Sequence, residues 1–424
     1  MPLTPIRRQV LWRSWRESCA SNMTFEECCK AIDEHLNKSH QTWLLGAGVS
    51  KDAGIPLMYP LTDQVEAKLA GTNQTQYRSI RASLDAGAHV ENVLNHIVNL
   101  IALAEGTRGK TADIGGTAVS VENLRAFHRE IQKMIVEIIR WGFFPAQGGQ
   151  PAREGQRDKP VVTVEHHAKF VRAFFGTRRQ HQDSLAPVAF FTTNYDTLLE
   201  DALALSRVYY LDGFTGGSLA FWNPDRDRAA YRKVFDRAES TRAKLYKLHG
   251  SIDWFEDRQD IVVRLRDSCA YPPRDDGNFV IYPASTKYAA VRREPFLTAF
   301  TAFREAMSIT TQGLIAVCGY SFGDEHITEE IERALQRRDN ELTLVVFAHQ
   351  RDGDMDSCQN FPPRLAALLG SDQKPWSKRV FVCGSRGFYH GSLANQCPAA
   401  SATTHPWWTF AGVTQLLLEG RSGT

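Results

Sequence analysis

The chain has few cysteines and almost no net charge. Eight cysteines are spread over 424 residues, and no two of them form a CxxC pair, which argues against a structural zinc site. Their positions also do not resemble the framework of a disulfide-stabilised secreted protein. Lys and Arg number 50 against 48 Asp and Glu, a net charge of +2, which argues against a protein that coats nucleic acid. We therefore expect no zinc and no direct contact with nucleic acid.

Long hydrophobic runs are also absent. No window approaches the ~20 apolar residues that a membrane-spanning helix requires, and the first residues, MPLTPIRRQVLWRSWRESC, lack the apolar stretch of a signal peptide. We therefore expect a cytoplasmic protein without membrane contact. Hydrophobic residues nevertheless make up 43% of the chain, so it can form large cores. The length predicts two or three folding units, or one unit with large insertions.

Short apolar runs, rich in β-branched residues and closed by glycine or polar loops, recur along the chain. They predict buried strands at 42–48, 187–194, 244–250, 313–321, 342–349 and 378–384. Amphipathic helical patterns lie between several of these runs. This alternation predicts an α/β fold with a doubly wound parallel sheet of about six strands.

The gap between the first and second predicted strands is too long for one crossover helix. It contains helical patterns near 90–101, 124–139 and 167–175, interrupted by glycine-rich breaks at 104–116 and 145–160. We predict a large helical insertion between these two strands, with the second break a mobile loop. The predicted domains are an N-terminal helical segment (1–40), a core (41–59 and 187–384), the insertion (60–186) and a C-terminal extension (385–424).

The first predicted strand runs into GAGVSKDAGIP at 46–56. A strand, a glycine-rich turn and a helix start place backbone N–H groups where a phosphate can bind. Gly46 and Gly48 would allow close approach of a diphosphate, and Ser50 adds a hydroxyl donor. The spacing is not GxGxxG, because Lys51 replaces the third glycine, so a simple tight turn is the alternative interpretation.

Two further strands end in polar residues. FFTTNYD at 190–196 places Asn194 and Asp196 at a strand end, where they could bind a ligand or cap the next helix. KLYKLHGSIDW at 244–254 ends a strand at His249, which could act as a general base or be a structural hydrogen-bonding residue.

A fourth strand leaves through CGYSFGDEHI at 318–327, with Ser321, Asp324 and His326 in the exit loop. The alternative interpretation is a capped helix start with Asp324 near the N-cap. Because the carboxyl ends of parallel strands lie at one edge of a sheet, the four loops are predicted to converge there. That coincidence favours a binding site over four unrelated turns.

The combination of these motifs resembles the sirtuin family, over about half of the chain. The resemblance implies a Rossmann-like sheet that binds NAD, with Asn194 and Asp196 facing the nicotinamide ribose and His249 as the catalytic histidine. The cofactor-binding residues implied by the match, together with neighbours in the same loops, are Gly46, Ala47, Gly48, Ser50, Gly54, Ile55, Pro56, Thr193, Gly319, Ser321, Asp324 and His326.

The sequence departs from sirtuin deacylases in informative ways. The two zinc-binding CxxC pairs of those enzymes are missing, GIP is followed by Leu57-Met58-Tyr59 instead of an acidic-aromatic-arginine triplet, and Thr193 stands where they have glutamine. The zinc module supports part of the acyl-lysine groove, so its absence puts deacylation in doubt.

TTNYD, KLHGS, IYPASTKY (281–288) and GYSFGDEH instead look like bacterial sirtuin-like effectors of anti-phage defence, which hydrolyse NAD. The resemblance is greatest to the member paired with a HerA-type ATPase. It implies an NAD glycohydrolase with catalytic Asn194, His249 and Asp196, NAD as substrate, and a homo-oligomer with a HerA-type partner. An NAD-dependent deacylase and a non-catalytic NAD or ADP-ribose-binding module stay open as alternatives. Near the N-terminus, Trp12 and Trp15 are predicted to dock on the same or a neighbouring subunit, and the alternative is that this arginine- and tryptophan-rich segment contacts nucleic acid or a partner.

Overall fold

The structure is a computed structural model. It describes residues 23–178, 187–223, 242–256, 261–266, 278–281, 293–308, 313–337, 339–351, 360–369, 376–390, 395, 397–399 and 403–419.

The described residues form eleven α-helices. They are α1 Phe25–Leu36, α2 Met58–Lys68, α3 Gly71–Ser83, α4 Val90–Glu105, α5 Val121–Trp141, α6 Glu165–Arg172, α7 Leu198–Leu205, α8 Phe296–Met307, α9 Glu325–Gln336, α10 Pro363–Leu368 and α11 Phe410–Glu419. None of these helices is long and apolar enough to cross a bilayer.

Seventeen strands lie in the same part of the chain. They are β1 His40–Leu45, β2 Thr111–Ile114, β3 Thr117–Ser120, β4 Phe143–Phe144, β5 Arg153–Glu154, β6 Val188–Thr192, β7 Tyr210–Leu211, β8 Phe214–Gly216, β9 Leu219–Trp222, β10 Ala243–Lys247, β11 Gly250–Glu256, β12 Val262–Leu265, β13 Asn278–Ile281, β14 Gly313–Cys318, β15 Thr343–Ala348, β16 Val380–Gly384 and β17 Phe388–His390.

Eight strands form a mostly parallel sheet in the order β17-β16-β15-β14-β1-β6-β10-β7. Each of the six predicted apolar runs overlaps one of these strands. The sheet has two more strands than predicted and is not parallel throughout, because β17 pairs antiparallel with β16. Both additional strands, β7 and β17, lie at the edges and are only two and three residues long. Runs this short carry too little periodicity to be recognised in a sequence.

A second sheet was not predicted. Its five strands have the order β13-β11-β12-β9-β8, and every recorded pairing within it is antiparallel. Strand β11 begins at Gly250, directly after the predicted catalytic histidine, and Gly250 has a left-handed φ of +94°. Glycine adopts this conformation without steric penalty, which allows the chain to turn sharply between β10 and β11.

Between β1 and β6 the chain forms helices α2 to α6 and two short hairpins, β2–β3 and β4–β5. Helix α5 is capped at its N-terminus by Ser120, whose Oγ accepts a hydrogen bond from Asn123 N (3.3 Å), and at its C-terminus by Gly142, with φ +88°. Its apolar face packs with α2 and α4 in one buried cluster that includes Leu61, Val65, Val93, Leu94, Ile97, Leu124, Phe127, Ile131 and Ile135. The region predicted as a mobile break at 145–160 contains β5. The predicted domain boundaries stay a prediction.

The chain divides into two compact units. The first consists of Met1–Trp43, Arg172–Ala186 and Met307–Thr424, and the second of Leu44–Val171 and Pro187–Ala306. In the first unit, strands β14, β15 and β16 are buried along their whole length.

The C-terminal segment of the first unit packs against strand β16 and forms a hydrogen bond with it. Trp407 is buried, and its Nε1 donates to the carbonyl oxygen of Gly384 at the end of β16 (2.8 Å). Phe25 at the start of α1 stacks on the Trp407 ring, with 4.6 Å between ring centroids. These contacts hold α1 and the C-terminal segment against the end of β16.

Candidate functional site

The glycine-rich loop that follows β1 lies in the second unit and begins at Gly46, which is buried. A short 3₁₀ turn, Ala47–Val49, follows, and Val49 N donates to Gly46 O (3.1 Å). The next α-helix, α2, begins only at Met58. The predicted helix start directly after the glycines is therefore wrong, because the loop folds as a 3₁₀ turn followed by further turns.

Gly54 is required by the way this loop is held. Its φ is +94°, and a Cβ at this position would lie 2.8 Å from the carbonyl oxygen of Val161, closer than real Cβ contacts allow. Gly54 O accepts from Phe143 N (2.9 Å), and the neighbouring Ala53 O accepts from Thr163 N (2.9 Å). The GIP sequence thus fits a backbone-to-backbone contact that only glycine permits.

The end of β6 is tied to the end of β1. Thr192 Oγ1 and Thr193 N both donate to the carbonyl oxygen of Leu45, at 2.9 and 3.2 Å, and Asn194 N donates to Thr192 Oγ1 (3.0 Å). These bonds place Asn194 beside the glycine-rich loop. Its Nδ2 donates to Ser50 Oγ (3.0 Å), so the structure brings together two residues that the sequence predicted for one site.

The other end of the Asn194 amide has no recorded partner. Its Oδ1 is buried and accepts no hydrogen bond from any residue in the described ranges. A buried acceptor left without a donor costs about 1–3 kcal/mol. A ribose hydroxyl or a water in this position would supply the missing donor, so the donor requirement of Asn194 fits the NAD that the motifs predict.

A histidine that the sequence did not single out completes this group. His167 in α6 is buried, and its Nε2 lies 3.4 Å from Ser50 Oγ. Burial lowers the pKa of His167 to about 4 despite the opposing effect of Asp196, so its imidazole is neutral near pH 7. In the sequence His167 falls within an amphipathic pattern, and a polar residue on a buried helix face was the only available signal.

Asp196 has a local structural role. Its Oδ1 accepts from the backbone N–H of Leu198, the first residue of α7 (3.1 Å), as the capping alternative predicted. Asp196 is also buried and faces a cavity, so capping does not remove it from the candidate site.

Lys247 binds the backbone of the turn that contains Asn194 and Asp196. It is the last residue of β10, and its Nζ donates to the carbonyl oxygens of Tyr195 (3.4 Å) and Asp196. The same ammonium pairs with Glu200 Oε1 in α7 at 3.0 Å, and both side chains are buried. Burial would raise the pKa of Glu200, but the positive charges of Lys247 and Arg266 outweigh it and hold that pKa below its usual value.

His249 lies in the turn between β10 and β11 and is buried. Strands β6 and β10 are parallel, with Thr192 opposite Lys247. Asn194 and His249 therefore each follow a register pair by two residues, at the same edge of the sheet. Leu248 N donates to Thr192 O (2.8 Å), which extends the contact between these chain segments one residue past the end of β10.

A cavity of about 370 Å³ lies next to Asp196 in the second unit. Arg266 pairs with Asp201 and Asp253 at 3.1 Å each, and Arg140 also faces the cavity. Burial raises the pKa of Asp253, against the opposing effect of Arg266. The remaining lining residues are Ile55, Ile139, Val162, Asp196, Thr197, Leu198 and Ile252. The sequence analysis did not identify Arg140, in α5, or Arg266, after β12, because neither arginine belongs to a recognisable motif.

Residues 188–365 match a SIR2-like domain. The match covers less than half of the chain but includes Asn194, Asp196, His249 and the turn after β14; β1 and the glycine-rich loop precede it. No curated protein sequence matches the chain. This SIR2-like segment is sirtuin-like, and SIR2-like domains are generally NAD-dependent enzymes, so the match supports an NAD-related activity.

The turn after β14 in the SIR2-like segment lies in the first unit. Gly319 has a φ of +66°, Ser321 Oγ accepts from Gly323 N (3.3 Å), and Asp324 Oδ1 accepts from His326 N (3.2 Å) as the N-cap of α9. The capping role that was the alternative interpretation of Asp324 is therefore present. Cofactor binding by Gly319, Ser321, Asp324 and His326 stays a prediction.

Some predicted features lie outside the described residues. They include most of the IYPASTKY motif, from 282 to 288, and the tryptophans at 12 and 15. Within the described ranges no group of three or more His, Cys, Asp or Glu side chains is arranged to hold a metal ion.

Proposed function

We propose that this protein is an NAD glycohydrolase that cleaves the nicotinamide–ribose bond, giving ADP-ribose and nicotinamide, and that it depletes NAD in anti-phage defence. The observation that carries the proposal is the hydrogen bonding of the Asn194 side-chain amide. Its amide is fixed by Ser50 at one end and has a buried, unbonded oxygen at the other, in a segment that matches a SIR2-like domain.

Asn194 would orient the reacting groups. Because Nδ2 is committed to Ser50 Oγ (3.0 Å), Oδ1 is the atom left to accept from a ribose hydroxyl or from the attacking water. A fixed acceptor removes orientational freedom before the reaction, which is a major source of rate enhancement. The amide is neutral, so it does so without an additional charge in the site.

His249 would act as the general base. NAD supplies a leaving group, nicotinamide, that departs neutral with the electron pair of the broken bond. The water oxygen bonds to the ribose carbon and gives up one proton, which His249 accepts and passes to solvent. A positioned base contributes roughly 10²–10⁴-fold to such a step. Asp196 would bind a ribose hydroxyl or hold the turn that carries Asn194.

The loop after β1 would hold the dinucleotide. Its backbone N–H groups are the type of donor that binds phosphate, whereas the Ser50 hydroxyl lies inside the loop and contacts Asn194 and His167. In this proposal the binding residues are Gly46, Ala47, Gly48, Ser50, Gly54, Pro56 and Thr193, and Ala47 is exposed while Ser50 is buried. The exposed side of the loop would therefore meet the ligand, and the buried Ser50 would contribute by holding Asn194.

Two features favour hydrolysis over deacylation. The sequence has no CxxC pair, which argues against the zinc module that supports the acyl-lysine groove of deacylases. Its strand-end motifs resemble those of NAD-depleting effectors. The same resemblance supports a homo-oligomer that works with a HerA-type ATPase in the cytoplasm, which we propose as the setting of the activity.

The proposal is tested with Asn194→Ala and His249→Ala. We expect both variants to bind NAD, measured by calorimetry, and to release no nicotinamide, measured by chromatography, with and without a HerA-type partner. Asn123→Ala and His40→Ala change exposed residues and serve as matched controls that keep wild-type turnover. Full turnover in either site variant would overturn its assigned role.

The same assay separates the alternatives. Nicotinamide release that requires an acyl-lysine peptide would identify a deacylase. NAD binding without turnover, even with the partner present, would identify a non-catalytic module.

A further inference from the structure

Three buried polar side chains from separate parts of the second unit form one hydrogen-bonded chain. Asn194 Nδ2 donates to Ser50 Oγ at 3.0 Å, and Ser50 Oγ lies 3.4 Å from His167 Nε2. The exposed fractions of Asn194, Ser50 and His167 are 9%, 0% and 1%. Asn194, at one end of this series of hydrogen bonds, is the residue that orients the reacting groups in the proposed function.

We propose that His167 is a positioning residue that fixes the Asn194 amide through Ser50, so that Asn194 Oδ1 faces the reacting groups. This inference rests on the proposed function. His167 is almost completely buried and its Nε2 lies 3.4 Å from Ser50 Oγ, so we assign it a role that acts through the serine hydroxyl.

The hydrogen-bond inventory of Ser50 supports this role. A hydroxyl has one proton and accepts through its lone pairs. Asn194 Nδ2 occupies a lone pair of Ser50, so the hydroxyl proton is available to His167 Nε2. A neutral imidazole protonated on Nδ1 accepts it, and burial keeps His167 neutral near pH 7.

The arrangement selects one orientation of the amide. If the Asn194 amide were flipped, its Nδ2 would occupy the buried position where no acceptor is recorded, and Ser50 would have to donate to Oδ1. His167 would then have to donate from Nε2 instead of accepting. When His167 Nε2 accepts the Ser50 proton, Ser50 can only accept from the Asn194 amide, so this tautomer of His167 holds Asn194 with Nδ2 towards Ser50.

The surroundings of His167 make its polarity informative. The other buried residues of α6 are Ala168, Phe170 and Val171, and the carboxylates of Asp196 and Glu200 are near enough to act on the imidazole electrostatically. Burying an imidazole is unfavourable unless it has hydrogen-bond partners, and an apolar residue would serve packing alone. The contact with Ser50 gives a reason for a histidine at this position.

The test compares three substitutions that differ in what they offer Ser50. His167→Gln places an amide near the original Nε2, His167→Asn places its amide near Nδ1, out of reach of Ser50, and His167→Leu removes the polar group. We expect His167→Asn and His167→Leu to lower kcat by roughly 10- to 100-fold, with KM changed less than about 3-fold. His167→Gln should restore kcat to within about 3-fold of wild type.

Further variants make the result decisive. Ser50→Ala combined with His167→Asn should lose no more activity than Ser50→Ala alone, because both substitutions break one link. His166→Leu changes the preceding, half-buried residue and is the matched control. Thermal unfolding identifies any variant that fails to fold, and His167→Asn and His167→Gln have similar polarity, so one remains informative if Leu unfolds the protein.

The outcomes separate the two proposals. If wild type and Asn194→Ala release nicotinamide equally, or neither releases any, the proposed function fails. If wild type is active and Asn194→Ala is inactive, but His167→Asn retains full kcat, or Gln is no better than Asn, the positioning role of His167 is overturned.

Discussion

Ser50 links two parts of the candidate site that come from different segments. Its Oγ contacts Asn194 on one side and His167 on the other, and it is completely buried. Most buried polar atoms in proteins have hydrogen-bond partners, so exceptions are informative. One such exception in this group is Asn194 Oδ1, the atom that the proposed function places nearest to the reacting groups.

Burial of His167 also predicts a pH dependence of stability. The pKa of His167 is lowered to about 4 in the folded protein, against an ordinary value of 6.5. Between these values the unfolded chain binds a proton that the folded protein does not, so stability falls as the pH is lowered through this window. Wild type should lose about 2 kcal/mol more than His167→Gln between pH 7.5 and 5.

Urea unfolding of both proteins at the two pH values measures this difference. His40→Gln, an exposed histidine, serves as the control and should behave as wild type. Parallel pH dependence of wild type and His167→Gln would show that His167 takes up its proton as easily when folded as when unfolded.

At the scale of elements, Lys247 connects β10 to α7 and to the turn between β6 and α7. The buried pair with Glu200 is 3.0 Å long, and the same ammonium binds two carbonyl oxygens of the turn. Removing one member of a buried ion pair leaves an unpaired charge, whereas replacing both members by apolar residues is often nearly neutral.

This arrangement predicts that Lys247→Met destabilises the protein by about 3–5 kcal/mol. The double variant Lys247→Met/Glu200→Met should recover part of that loss in urea unfolding, because no uncompensated charge remains, although the turn keeps its lost carbonyl contacts. Arg333→Met removes an exposed arginine that pairs with Glu329 and Glu330 in α9, and it should change stability by no more than about 0.5 kcal/mol. Equal losses in the single and double variants would show that the unpaired charge is not the cause.

At the scale of the whole molecule, the homo-oligomer and the HerA-type partner stay predictions. We expect sedimentation to show a species heavier than one chain, and nicotinamide release to rise when the partner ATPase is added. Trp12→Ala/Trp15→Ala should reduce the sedimenting mass if these tryptophans dock between subunits. An unchanged mass would show that they dock within one chain or not at all, and Trp222→Ala in β9 serves as a matched tryptophan control.

The larger architecture could be predicted only where strands are long and apolar. Strand β14 has six consecutive buried residues, and its sequence GLIAVC shows this directly. Strands β8 and β9 of the second sheet have only three and four residues and are partly exposed, so neither length nor periodicity marks them. The position of His249 between the two sheets was therefore not predictable, although its strand-end position was.

The sequence by itself determined the α/β character of the fold and the strand-end positions of Asn194, Asp196 and His249. A strand buried on both faces of a sheet requires a continuous apolar run, and a turn requires glycine and polar residues. Both features can therefore be recognised from short stretches of sequence. Only the tertiary structure decided that Asn194 meets Ser50 across 144 positions and that His167 meets it across 117. Contacts at such separations depend on how the elements pack, and no local pattern of residues encodes them.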